Sequence, residues 1–143
     1  MADTSDLEVA FDWTRQELGR RFGVTFSKTH ASLRQGTQRK FNAVSSDGSI
    51  VATISHSSGP TSGKKNPTGK IHTAVASLYF LSQVRAQRRI LVLTDPELNR
   101  LVQNEVDGAL GEGLEILHIP LPPELAAKVR AVTSRASDEM TLS

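Results

Sequence analysis

Two β-prone segments joined by a tight turn constrain the fold of this chain more than any other feature. They cover residues 38–45 and 49–56, and the turn between them contains Asp47-Gly48. An Asp-Gly pair between such segments is a strong signal for a β-hairpin, because glycine adopts a positive φ without steric cost. The sequence therefore predicts an antiparallel strand pair near the middle of the chain.

Start and stop signals on both sides of this hairpin predict the remaining elements. Capping residues and prolines mark four helix starts: Ser5 with Glu8, Asn66-Pro67, Thr94 or Asp95 with Pro96, and Pro122-Pro123. Further strands are predicted at about residues 24–29, 90–93 and 114–119. The second helix is expected to bury one face, made of Ile71, Ala74, Val75, Leu78 and Leu81 or Ser82.

The resulting order, αβββαβαβα, predicts an α/β protein on the border with α+β. Antiparallel strands that continue into β-α-β crossovers require a mixed β-sheet flanked by helices. A chain of 143 residues suits a single domain, here 1–143. Within it we expect an ordered core over 5–133, a flexible loop over the Ser-, Gly- and Lys-rich residues 57–66, and a frayed tail over 134–143.

The composition bears on the cellular compartment in which the protein is expected. The chain has no cysteine, so it has neither a disulfide framework nor a thiolate metal site. No apolar run approaches the length of a membrane span, and the acidic N-terminus differs from a secretory signal. We therefore expect a cytoplasmic protein with no membrane partner.

The charges are unevenly distributed although the formal net charge is only +2. Between residues 15 and 89 the acids are Glu17 and Asp47, while thirteen lysines and arginines lie in the same stretch. The remaining acids cluster towards both ends of the chain. A basic centre of this kind attracts polyanions.

The element order and the hairpin together resemble the restriction-endonuclease-like, or PD-(D/E)XK, nuclease superfamily. In that superfamily the second strand carries an Asp and the third carries Glu-x-Lys, and the carboxylates hold magnesium. The resemblance places Asn42 at the position of the Asp, and Thr53 and Ser55 at the positions of the Glu and Lys. It leaves Glu17 as a residual acid on the first helix.

Loss of these carboxylates removes the ligands that a divalent cation requires, because Mg²⁺ binds hard, charged oxygen atoms. We therefore expect no catalytic residue, no bound metal and no cofactor. Magnesium enters only under an alternative in which the chain is a metal-dependent nuclease that uses displaced ligands such as Glu17, Asp47 or His56.

The expected partner is nucleic acid, with DNA favoured over RNA. The candidate phosphate-binding residues are Lys28, Arg39, Lys40, Lys64, Lys65 and Lys70. A second hypothesis is a regulatory domain with a vestigial site that binds a partner protein or forms a homodimer through an apolar surface around 120–123. On the simpler alternative, these basic residues keep a loop and an edge strand soluble, and Asn42, Thr53 and Ser55 belong to the ordinary strand surface of an unrelated α/β protein.

Overall fold

The computed structural model describes residues 5–59 and 68–142, with side chains described as far as residue 133. The described elements follow the predicted order: α1 (Ser5–Phe22), β1 (Phe26–Ser32), β2 (Gln38–Ser45), β3 (Ile50–Ser55), α2 (Thr68–Ser82), β4 (Arg88–Leu93), α3 (Pro96–Glu105), β5 (Leu114–His118) and α4 (Pro123–Leu142). The prediction of an α/β protein with a mixed sheet flanked by helices is confirmed.

The five described strands lie side by side in their sequence order, β1-β2-β3-β4-β5. β1 and β2 are antiparallel, as are β2 and β3, whereas β3, β4 and β5 are mutually parallel. The sheet therefore has an antiparallel half, β1–β2, and a parallel half, β3–β5, which the hairpin joins.

The helices cover the two faces of this sheet in pairs. On one face, Leu18 of α1 packs with Ile50, Ala52 and Ile54 of β3, and Ala10 of α1 contacts Val129 of α4. On the other face, Val51 of β3 packs with side chains of α2 and α3. We call these the α1 face and the α2 face. β4 is buried along nearly its whole length, as expected for a strand covered on both sides.

Local signals end or begin several elements where the sequence predicts. Gly23 follows α1 with φ of +70°, and Gly48 forms the hairpin turn with φ of +76°. Asp95 is the N-cap of α3, and its Oδ2 accepts a hydrogen bond from the Leu98 amide at 2.9 Å.

The buried face of α2 differs from the prediction at one residue, and the predictions for the loop and the tail stay untested. Val75 was expected on the buried face of α2, but it is 38% exposed, because the buried face runs through Ile71, Ala74, Leu78 and Leu81. The predicted cap at 66–67 and most of the predicted flexible loop lie outside the described residues. The backbone of α4 continues to Leu142, and fraying of the tail stays a prediction.

Candidate nucleic-acid interface

The centre of the predicted site is a place where β2 and β3 part. Within these two strands, pairing extends over Ala43–Ala52 and Val44–Val51, next to the hairpin. The β1–β2 register also shifts here, so that Asn42 and Ala43 together stand opposite Lys28. This is a β-bulge, and it explains an asparagine inside a strand, where asparagine is otherwise disfavoured.

Where β2 and β3 separate, side chains form hydrogen bonds with backbone groups that have no partner in the neighbouring strand. Asn42 Oδ1 accepts a hydrogen bond from the Ile54 amide at 2.8 Å, in place of a backbone carbonyl. Arg15 Nη1, from α1, donates to the Asn42 carbonyl at 2.9 Å. Buried backbone donors and acceptors need such partners. Asn42 therefore has a structural role that its type alone did not reveal.

The other two degenerate positions lie on the opposite face from α1. Thr53 and Ser55 alternate with Ile54 along β3 and share the side of Val51, which packs under α2. Ser55 Oγ accepts a long hydrogen bond, 3.4 Å, from the amide of Ser57. The structure therefore does not bring Thr53 and Ser55 together with α1.

Glu17, the residual acid, is engaged within its own helix. Its carboxylate pairs with Arg20 and, at 3.5 Å, with Arg21. Glu17 does not line the cleft at Asn42. That cleft has a volume of about 330 Å³, and it is lined by Leu7, Glu8, Phe11, Arg15, Lys28 and Asn42.

The sheet divides the predicted phosphate-binding residues between its two faces. Lys28 lines the cleft on the α1 face. Lys40 stands opposite His30, which alternates with Lys28 along β1, so all three lie on that face. Arg39 lies on the α2 face, where its guanidinium is stacked over the Phe80 ring at 3.7 Å.

The remaining predicted lysines differ in their surroundings. Lys70, in the first turn of α2, donates from Nζ to the Ser58 carbonyl at 2.8 Å, so this ammonium already has a protein partner. Lys64 and Lys65 lie outside the described residues.

Sequence reasoning named Arg39 as a candidate but missed the aromatic and arginine-rich surface to which it belongs, at the C-terminal end of α2. Its members are Arg34, Arg39, Tyr79, Phe80 and Arg85, and we call it the arginine–tyrosine surface. The sequence did contain a signal for this surface. Tyr79 and Phe80 are adjacent aromatic residues of α2 that do not belong to its buried face, which is made of Ile71, Ala74, Leu78 and Leu81. Arg85 Nη2 donates to the Arg34 carbonyl at 2.8 Å, which holds the loop after β1 beside the end of α2.

The three residues of the displaced-ligand alternative are separately engaged. Glu17 is paired as described, and Asp47 lies in the hairpin turn. There the Ser49 amide and the hydroxyl groups of Ser45 and Ser49 lower the pKa of the Asp47 carboxyl to about 2. Across residues 5–59 and 68–133, no group of three or more His, Asp or Glu side chains is placed to hold a metal ion.

His56 is buried at the carboxyl end of β3, with 6% of its surface exposed. Its Nδ1 lies 2.9 Å from Thr94 Oγ1, and its ring packs edge-on against Phe11. Burial, and secondly the charge of Arg15, lowers the pKa of the imidazole from 6.5 to about 4. His56 and Ser58 line a cavity of about 220 Å³ beside Thr94 and Asp95.

In the segment predicted to support self-association, Pro120 and Pro123 are exposed, Pro122 is half-buried and Leu121 is buried, and self-association stays a prediction. Ile119 is fully buried, and Leu121 packs against Ala10 and Val129 between α1 and α4. The large hydrophobic residues exposed in the described part of the chain are Val9, Val75 and Tyr79.

Comparison of the chain with protein-family models, with curated proteins and with solved structures finds no match. Among the helices described, none has both the length and the apolar character that crossing a bilayer requires.

Proposed function

We propose that this protein is a non-cleaving, nuclease-like domain of the cytoplasm that binds DNA through the antiparallel half of its sheet. The observation that carries the proposal is the charge of that half. Residues 18–46 and 48–94 contain no Asp or Glu. The exposed side chains of β1, β2 and the neighbouring loops include Lys28, Arg34, Arg39, Lys40 and Arg85.

The position of β1 supports this proposal. β1 is an edge strand, and the cations of β1–β2 point to both faces of the sheet. A polyanion that lies along this edge can therefore reach Lys28 and Lys40 on one side and Arg39 on the other. Such binding is led by phosphate contacts, so it is sensitive to salt and weakly selective for sequence.

The oxygen atoms available as metal ligands where β2 and β3 separate support the non-cleaving part of the proposal. Asn42 Oδ1 is already hydrogen-bonded to the Ile54 amide, and the carboxylate that lines the cleft is that of Glu8. An amide and one carboxylate supply less charge than the carboxylate pair with which related nucleases hold magnesium. We also propose the restriction-endonuclease-like fold on the order of elements and the mixed sheet.

Charge reversal tests the binding surface. The affinity of the wild type and of each variant for a labelled DNA of about 20 nucleotides is measured by fluorescence anisotropy at about 50 and 200 mM salt. We expect Lys28→Glu with Lys40→Glu to weaken binding about 100-fold and to flatten the salt dependence.

The matched control is Lys128→Glu with Arg130→Glu on α4, which changes the net charge equally at two exposed residues that do not line the cleft of Lys28. This control is expected to bind within about threefold of the wild type, because any residual effect is long-range and screened. The proposal fails if the wild type binds no DNA at low salt, or if both double variants lose affinity equally. Nicking of plasmid DNA with Mg²⁺ or Mn²⁺ would refute the non-cleaving part alone.

A further inference from the structure

We propose that the arginine–tyrosine surface binds single-stranded DNA, with a base stacked on Tyr79 and phosphates held by Arg34, Arg39 and Arg85. This inference rests on the proposed function and specifies which form of DNA the surface recognises. The first observation is that Tyr79 is 61% exposed, more than Val9 or Val75 among the large hydrophobic side chains described.

The exposed Tyr79 ring packs against the ring of Phe80. Its centroid lies 5.5 Å from that of Phe80, at an interplanar angle of 72°. Phe80 in turn is held beneath the Arg39 guanidinium at 3.7 Å. An exposed, supported aromatic ring is what base stacking requires, and every base has a face to offer it.

The charge around Tyr79 favours a polyanionic ligand. Arg34 and Tyr79 line the same hollow, of about 140 Å³, and Arg85 is hydrogen-bonded to the Arg34 carbonyl. Residues 68–82 of α2 contain no acid. Stacking rings surrounded by arginine, with no carboxylate in the helix that bears them, match a nucleic-acid strand better than a neutral or cationic protein surface.

The surface is fixed before any ligand arrives. Leu33 and Val84 form an isolated antiparallel bridge. The Arg34 amide donates to the Gln83 carbonyl at 2.7 Å, and the Arg85 amide donates to the Ser32 carbonyl at 3.1 Å. Because the two segments are joined by backbone hydrogen bonds, the positions that carry Arg34 and Arg85 stay close to the end of α2 without a ligand, which reduces the ordering that binding requires.

A single strand is favoured over a duplex because its bases expose their faces. Bases in a duplex are stacked on each other, so Tyr79 gains no stacking partner there unless the helix opens. The surface therefore predicts a preference for single strands that depends on Tyr79 and not on the number of cations.

Truncation of the ring tests this preference directly. We expect Tyr79→Ala to weaken binding of oligothymidylate about 10-fold, to leave duplex affinity unchanged and to keep the salt slope. Tyr79→Phe keeps the ring and is expected to bind within about twofold of the wild type. In contrast, Arg34→Ala with Arg39→Ala should reduce both the affinity and the salt slope, because it removes phosphate contacts.

A second measurement exploits the single tyrosine of the chain. Protein labelled with fluorotyrosine gives one ¹⁹F resonance, which we expect to shift when oligothymidylate is added and to stay in place with polyglutamate. The inference is overturned if Tyr79→Ala binds the single strand like the wild type, or if polyglutamate shifts the resonance equally. Wild-type protein that binds duplex but shows no Tyr79 dependence would spare the proposed function, whereas protein that binds neither strand form refutes both.

Discussion

The two halves of the sheet use their cations in opposite ways. In the parallel half, Arg89 is 8% exposed, and its guanidinium donates to the carbonyls of Ser82 and Glu112 at 3.1 and 2.6 Å. In the antiparallel half, Lys28 of the edge strand β1 and Arg39 and Lys40 of β2 are exposed. A count of basic residues does not distinguish these two kinds of cation. The buried Arg89 stabilises the fold, whereas the exposed cations of the antiparallel half are accessible to a ligand.

The halves also differ in how regularly their strands pair. β3 and β4 stay in register from Ile50 beside Arg88 to Ser55 beside Leu93. β2 and β3 part after Val44–Val51 and Ala43–Ala52. Continuous pairing and the burial of β4 make the parallel half the more stable part of the molecule, whereas the antiparallel half is shaped by a bulge.

The sharpest test of this difference is Arg89→Ala. Its loss leaves two backbone carbonyls without their charged donor and opens space beside Gly113, so we expect the free energy of unfolding to fall by about 4 kcal/mol. Urea denaturation at neutral pH measures this change.

The control is Arg88→Ala in the same strand. Arg88 is exposed and pairs with Glu115 at 2.6 Å, so its loss is expected to cost about 1 kcal/mol or less. Equal losses for the two variants would contradict a special role for the buried cation and would break the comparison.

The next largest effect concerns His56, at the carboxyl end of the parallel half. Its pKa in the folded state, about 4, lies below its ordinary value of 6.5. As the pH falls from 6.5 towards 4, the unfolded chain therefore takes up a proton before the folded chain does. The stability due to the neutral imidazole is complete above pH 6.5 and is lost over this window, by about 3 kcal/mol.

The measurement compares urea denaturation of the wild type and His56→Leu at pH 7 and pH 4. The variant is expected to lose about 3 kcal/mol less than the wild type between these pH values, because its side chain does not titrate. Asp47, whose pKa is about 2, titrates below this window in both proteins. Identical pH profiles would show that another group controls acid unfolding.

The smallest of these effects concerns the antiparallel half. Asn42→Ala leaves the Ile54 amide without its acceptor, so we expect a loss of about 2 kcal/mol in the free energy of unfolding. Asn42→Asp keeps an oxygen at this place, close to Arg15, and is expected to remain within about 1 kcal/mol of the wild type. If Asn42→Ala unfolds at the wild-type urea concentration, the side-chain bond does not hold the two strands at their parting.

The order of elements was predictable because it depends on local chemistry. Gly23, Asp47-Gly48 and Asp95-Pro96 act through their own backbone preferences, and each lies where an element ends or begins. No distant contact is needed to interpret them.

The site was less predictable because its geometry depends on one extra residue in β2. Strict alternation along β2 would put Phe41 on the side of Ala43, but Phe41 packs with Val44 under α2. The bulge at Asn42 causes this change, and it also decides that Arg39 faces Phe80. A shift of register is a tertiary property that residue types do not encode one by one.

The bridge between Leu33 and Val84 has a mechanical consequence. It joins the end of β1 to the C-terminal end of α2. Along the chain, these two elements are separated by the hairpin strands β2 and β3. A force applied to either element is therefore transmitted to the other through this bridge.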